Sequence, residues 1–150
     1  MSTRGNGASL IGCGFSSAES WGRWTKGKRA TIILDIPPQA WASSWQMEVT
    51  TSAFVAPAHS TLTVEVHVNG EKIIEWKFAD WRQQKRVVTI PSDLLKKDKK
   101  LVLIEFNILD PISPKALGMS QDSRELGLGV SKLTFSQLSE SAAERTRETQ

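Results

Sequence analysis

Two stretches of the chain hold the residue types that recognise polar ligands. The first, ESWGRWTKG, brings Glu19, Trp21, Arg23 and Trp24 within six positions. The second, DPISPKALGMSQDSRELGLG, spans Asp110 to Gly129 and carries Asp110, Ser113, Asp122 and Arg124. An indole face on a loop rim stacks on the apolar face of a sugar ring, while carboxylates and guanidinium groups bind the hydroxyls. The same residues admit a second reading. In it the tryptophans plug the end of a sandwich, Glu19 satisfies a buried arginine, and an arginine–carboxylate network only pins the loop. An open groove with an exposed indole favours the first reading. Buried indoles and a fully paired Arg124 favour the second.

Catalytic arrangements are not supported. His59 sits in a proline-flanked turn and His67 on the polar face of a strand, and neither has a nucleophile motif around it. Glu19, Glu48, Glu105, Asp110 and Asp122 supply carboxylates, but sequence places no two of them at a glycosidase separation. There is no phosphate-binding loop, dinucleotide fingerprint or calcium loop. Cys13 is the single cysteine, so no intrachain disulfide forms, and no cysteine/histidine spacing suits zinc. The expectation is a non-enzyme with no cofactor and no metal. Cys13, in the apolar LIGCGF, is expected to be buried.

The elements that position the two stretches read as strands. Residues 1–8 are expected to be a frayed lead-in, SLIGCGF a short strand, and AESWGRWTKGKRA a loop. ATIILDI alternates with Ala30, Ile32, Leu34 and Ile36 on one face, and Pro37-Pro38 stops it. WQMEVTTSAFV places Trp45, Met47 and Val49 inward. In the hairpin at Asn69-Gly70, Leu62, Val64, Val66 and Val68 face Ile74, Trp76 and Phe78. Keeping these rows on one face requires paired residue numbers with an even sum, which predicts a three-residue loop, Val68-Asn69-Gly70, with a bulge at Gly70. KRVVTI is a further strand, Ser92 caps a single helical turn in SDLLKK, and LVLIEFNIL buries Val102, Ile104, Phe106 and Ile108. LGLGVSKLTF is the last strand, with Gly127 and Gly129 marking a bulge or a crowded backbone. Trp76 and Trp45 belong to the core, and Trp41 and Trp81 cover an edge.

About eight strands at regular spacing, with no long helix, predict an all-β chain: an antiparallel β-sandwich of jelly-roll, galactose-binding-like type. The expected organisation is one domain over residues 1–136 and a flexible or marginally helical tail over 137–150. At 150 residues such a domain buries roughly two-thirds of its unfolded surface. Its 39% hydrophobic and 23% charged residues are ordinary for a globular protein. The net charge of +3 comes from scattered lysines and arginines, which argues against nucleic acid. No secretory signal or membrane span is visible, and the expected location is the cytoplasm.

GFSSAESWGRWTKGKRATIIL, VNGEKIIEWKF, LVLIEFNILDPISP and LGMSQDSRELGLGVSKL resemble a poorly characterised β-sandwich domain. That domain is commonly appended to bacterial glycosyltransferases and other proteins of cell-surface polysaccharide biosynthesis. The resemblance spans about Phe15 to Phe135. Its specific parts are E-x-W-G-x-W-T at Glu19–Thr25, the pair Ser113-Pro114, and D-S-R-x-L-G at Asp122–Gly127. It implies a carbohydrate-binding-like fold in a sugar-related setting, with a glycan or a glycosyltransferase as partner. The rival expectation is a scaffolding sandwich that binds protein and no glycan.

Overall fold

The computed structural model describes residues 2–5, 8–17, 19–35, 43–94 and 101–138. These residues contain ten strands: β1 (Ser2–Gly5), β2 (Ala8–Ile11), β3 (Arg23–Lys26), β4 (Arg29–Asp35), β5 (Trp45–Ala53), β6 (Leu62–Val68), β7 (Glu71–Phe78), β8 (Gln84–Ile90), β9 (Leu101–Ile108) and β10 (Leu126–Gln137). A 3₁₀ turn at Ser92–Leu94 stands where the single helical turn was expected. The strands form two sheets, β2-β4-β9-β6-β7 and β1-β10-β5-β8, with β3 also pairing β10. Every pairing is antiparallel except that of β1 with β10. The architecture is the expected antiparallel sandwich of jelly-roll type. Among the described residues no helix is long and apolar enough to cross a membrane.

The core follows from period-two alternation, because one face of each strand is removed from water. Ala30, Ile32 and Leu34 of β4, the four apolar residues of β6, Trp76 and Phe78 of β7, and Val102, Ile104, Phe106 and Ile108 of β9 form one inner face. Trp45, Met47 and Val49 of β5, with Val88, Ile90, Leu128, Val130, Leu133 and Phe135, form the other. Trp76 meets Phe106 with ring centroids 6.0 Å apart. Along β10 the buried residues change parity, from Leu128 and Val130 to Leu133 and Phe135. A register shift between Val130 and Lys132 explains it: Ser131 is an extra residue against β5, and the bulge returns the next apolar side chains to the core.

The expected three-residue hairpin loop is not what forms. Val68 pairs with Glu71, so the turn is the two residues Asn69 and Gly70, with φ of 50° and 87°. Positive φ at both positions is the type I′ geometry that Asn-Gly favours, because its twist matches the strands. The even sum is restored further on. A shift between Val66 and His67 sets Ile74 opposite Val66 and Trp76 opposite Val64, so the bulge lies within β7. Asn69 also ties the turn to its surroundings: Nδ2 donates to Leu94 O at 2.7 Å, and Oδ1 accepts from Leu103 N at 2.9 Å.

Other expectations need correction. Part of the supposed lead-in is β1, which completes the outer edge of β10 beside Lys132–Phe135; an unpaired strand edge offers donors and acceptors to any extended segment. Arg23 and Trp24 are in strand β3, not in a loop. Cys13 is exposed, because the backbone around it is what packs: Cys13 N donates to Thr31 Oγ1 at 2.9 Å and Cys13 O accepts from Thr31 N at 2.9 Å. Trp81, expected to cover an edge, is 72% exposed. Ile36, Pro37-Pro38, Trp41, the second half of SDLLKK and the tail from residue 139 lie outside the described residues.

Candidate functional site

The long connection after β9 is shorter than it reads, because Ile112 and Leu126 bridge and leave residues 113–125 as the loop. It leaves the end of the sandwich opposite the Asn69-Gly70 turn. The loop is ordered by its own bonds. Ser113 Oγ accepts from Ala116 N at 3.0 Å, Met119 N donates to Pro114 O at 2.9 Å, and Lys115 N donates to Asp122 O at 2.8 Å. Pro114 is buried beneath these bonds.

Arg124 closes on Asp122. Its Nε donates to Oδ1 and Oδ2 at 3.0 and 3.1 Å, its Nη2 donates to Oδ2 at 2.7 Å, and its backbone N–H donates to Oδ1 at 3.0 Å. The guanidinium hydrogen bonds, then the backbone one, lower the Asp122 pKa to about 2. The Arg124 pKa is raised, first by the same hydrogen bonds and then by the charges of Asp122 and Glu19. This is a bidentate pair of the strong kind, formed within the loop.

The tryptophans arrange differently. Glu19 and Gly22 bridge across a tight turn, with Glu19 N donating to Gly22 O at 2.7 Å and Trp21 held between them. Trp21 is 40% exposed and meets Trp24 edge to face, with centroids 5.3 Å apart and planes at 73°. Trp24 in turn meets Phe54 at 6.0 Å. Both indoles rest on the backbone of Gly129 in β10, in the crowded stretch that the two glycines predicted. Thr25, fully buried, anchors the same region by accepting from Leu128 N at 2.9 Å.

An open groove of about 480 Å³ follows from this arrangement. Trp21 and Trp24 wall it on one side, the end of β5 and the residues that follow it, Ser52 to Val55, form its base, and Trp81 and Met119 close it from two other loops. Its size is that of a small-ligand site. The lining is aromatic and aliphatic, with the Ser52 hydroxyl and the indole N–H groups as its side-chain polar groups. Among the described residues no group of three or more histidines, cysteines, aspartates or glutamates is placed to hold a metal ion.

Of the eight residues singled out in the sequence, only Trp21 and Trp24 line the groove. Arg23 Nη1 donates to Ser16 O at 3.3 Å, while its Nε is buried with no hydrogen-bond partner among the described residues. Glu19 is exposed on the turn and acts on Arg124 through its charge. Asp110 is exposed on the bend after β9, and Ser113 caps the turn that begins at Pro114. Phe54, Val55, Trp81 and Met119 were not identified as site residues from sequence. Single apolar residues in separate loops carry no periodic signal, and the six tryptophans with no tyrosine were the only hint.

Comparison with curated proteins returns no match. Among solved structures the fold is shared with many proteins, among them three at low identity. A xylanase 10C from Cellvibrio japonicus, in complex with xylopentaose, has TM-score 0.54 and 10% identity over 89% of this chain and 27% of that one. A xylan-binding module, CBM15, has TM-score 0.52 and 10% identity, covering 89% and 98%. The CBM36-1 domain of a multidomain xylanase from the hindgut metagenome of Trinervitermes trinervoides has TM-score 0.50 and 8% identity, covering 85% and 94%. At such identities these likenesses establish the sandwich fold. Residues 10–137 match DUF7024, a domain of unknown function, and the chain belongs to that family.

Proposed function

We propose that this protein is a non-catalytic carbohydrate-binding module whose ligand lies in the groove walled by Trp21, Trp24 and Trp81. The observation that carries the reading is the open cleft with exposed indoles on a rigid sandwich end. Sugar rings present apolar C–H faces, and aromatic rings are the side chains that cover such faces at least entropic cost. The fold likeness to carbohydrate-binding modules supports it. In this reading Asp122 and Arg124 hold the loop that presents Met119, Glu19 and Arg23 support the turn beneath Trp21, and Asp110 and Ser113 make no ligand contact. A glycan array is the test. Binding that is lost in Trp21→Ala with the fold intact supports the module, and silence across all glycans overturns it.

We also propose the setting: bacterial surface-polysaccharide biosynthesis, beside a glycosyltransferase. It rests on the sequence resemblance at Glu19–Thr25 and Asp122–Gly127. Bacterial surface polysaccharides among the strongest array ligands support it, and a preference confined to plant glycans overturns it.

The second reading, a scaffolding sandwich with no glycan, is favoured by one observation. Arg124 is satisfied within its own loop by Asp122 and is not aimed at the groove lining. It predicts an array with no ligand and a partner protein that Trp81→Ala releases.

A further inference from the structure

The groove continues past Trp81. On the other side of this indole lies a second cleft of about 340 Å³, bordered by Val55, Pro57, Ser60, Asp80 and Trp81. Val55 and Trp81 belong to both clefts, so the two are contiguous and Trp81 stands between them as a fin. Both linings are largely apolar, and they differ in the side chains they carry. The first offers three indoles, Phe54 and Met119 with a single hydroxyl side chain, Ser52. The second offers the carboxylate of Asp80 and the hydroxyl of Ser60. Asp80 Oδ1 accepts from Arg82 N at 2.9 Å, which fixes the direction of the carboxylate. Recognition of a sugar takes both a face to stack on and polar groups that rank its hydroxyls. The first cleft is rich in stacking faces, and the second sets one indole, that of Trp81, beside Asp80 and Ser60.

We propose that the site takes a run of linked sugars and discriminates against a single one. One ring stacks among Trp21, Trp24 and Trp81, and the next crosses Trp81 to hydrogen-bond Asp80 and Ser60. The inference rests on the carbohydrate reading above and specifies its ligand as an oligosaccharide of at least two residues. Linking the two contacts makes the second intramolecular, so affinity rises with the first added residue. Stacking in the first cleft supplies affinity, and the exposed Asp80 supplies the choice between hydroxyl orientations.

The test is an array of bacterial and plant glycans in length series from monosaccharide to hexasaccharide, followed by calorimetry on the strongest binder. Monosaccharides are expected to be silent where disaccharides and longer chains bind. Trp81→Ala is expected to weaken the longest ligand by at least about tenfold, and Asp80→Ala to flatten the preference among epimers. Circular dichroism of both variants is expected to match the unaltered protein, since both side chains are exposed. Equal binding of monosaccharide and longer chains overturns this inference and leaves the carbohydrate reading standing. So does a length dependence unchanged in Trp81→Ala. Silence across the whole array overturns both.

Discussion

A Cβ placed on Gly129 would lie 3.0 Å from Cη2 of Trp21, so the tryptophan is seated against backbone that only glycine leaves bare. Trp24 Cζ3 would lie 3.1 Å from the same atom. Gly129→Ala therefore pushes both rings outward. Overfilling of this kind costs about 1–3 kcal/mol; the exposed edge of Trp21 lets the rings yield, which favours the lower end. The expected outcome is a fall in Tm of about 2–4 °C with altered near-ultraviolet circular dichroism from the indoles. An unchanged aromatic spectrum would show that the pair does not rest on Gly129.

Gly22 is the stricter position. Its φ is 151°, and a Cβ there would collide with the carbonyl oxygen of Val130 and the Cα of Ser131, neither of which is a flexible side-chain end. Gly22→Ala is expected to lift the Glu19–Gly22 turn off β10 at a cost of at least about 2 kcal/mol. Urea unfolding measures that cost. Binding lost in a still-folded variant would show that the turn, with Trp21, is what the ligand needs.

Asn69 does more than turn the chain. Asn69→Gly keeps the positive φ but removes the hydrogen bonds to Leu94 and Leu103. At about 0.5–1.5 kcal/mol for each, the expected loss is about 1–3 kcal/mol by denaturant titration. A neutral result would mean that water replaces the side chain at no cost.

Phe106 and Trp81 are a contrasting pair of large aromatics. Phe106 is fully buried and touches Trp76, and Phe106→Ala is expected to cost about 3–5 kcal/mol. Trp81→Ala, at an exposed site, is expected to stay within about 0.5 kcal/mol of the unaltered protein. Thermal unfolding of the two variants side by side checks both. A large loss at Trp81 would mark it as a structural cover, the role its sequence position first suggested.

Acid should loosen the loop through Asp122. Its pKa in the folded chain is lowered to about 2, against about 3.9 when unfolded. A depressed folded value means the pair's contribution is fully present above about pH 4 and disappears as pH falls through about 2. Asp122→Asn removes that contribution at neutral pH. The stability difference between the two proteins is expected to shrink from about pH 4 to about pH 2. A difference that stays constant over this range would mean the carboxylate is not held by Arg124.

Strands β4 to β9 were legible because each is at least seven residues long and carries an apolar row that one face buries. β1 and β3 were not. Each is four residues long, and each is a strand because the outer edge of β10 lacks a partner without it. The hairpin parity was readable but the place of its bulge was not, since the even sum is met equally at the turn or inside β7. In the site, Asp122 and Arg124 are two residues apart, and their pairing is local chemistry that sequence displays. The meeting of Trp21 with Phe54, Trp81 and Met119 joins four separate segments. It follows from sheet order, which no local pattern carries.

The sheet β2-β4-β9-β6-β7 lies wholly within residues 8–108, whereas β10 is the tenth strand in order of synthesis. It holds β5 on one edge and β1 with β3 on the other. On the ribosome, therefore, one layer of the sandwich can pair fully while β5, paired with β8, waits with the edge that takes β10 open. Trp21 and Trp24 have no floor until Gly129 emerges. Pairings this distant along the chain close slowly, and exposed apolar strands invite aggregation meanwhile. The groove is thus complete only once β10 is in place, and a nascent chain halted before β10 carries its tryptophans without the backbone they rest on.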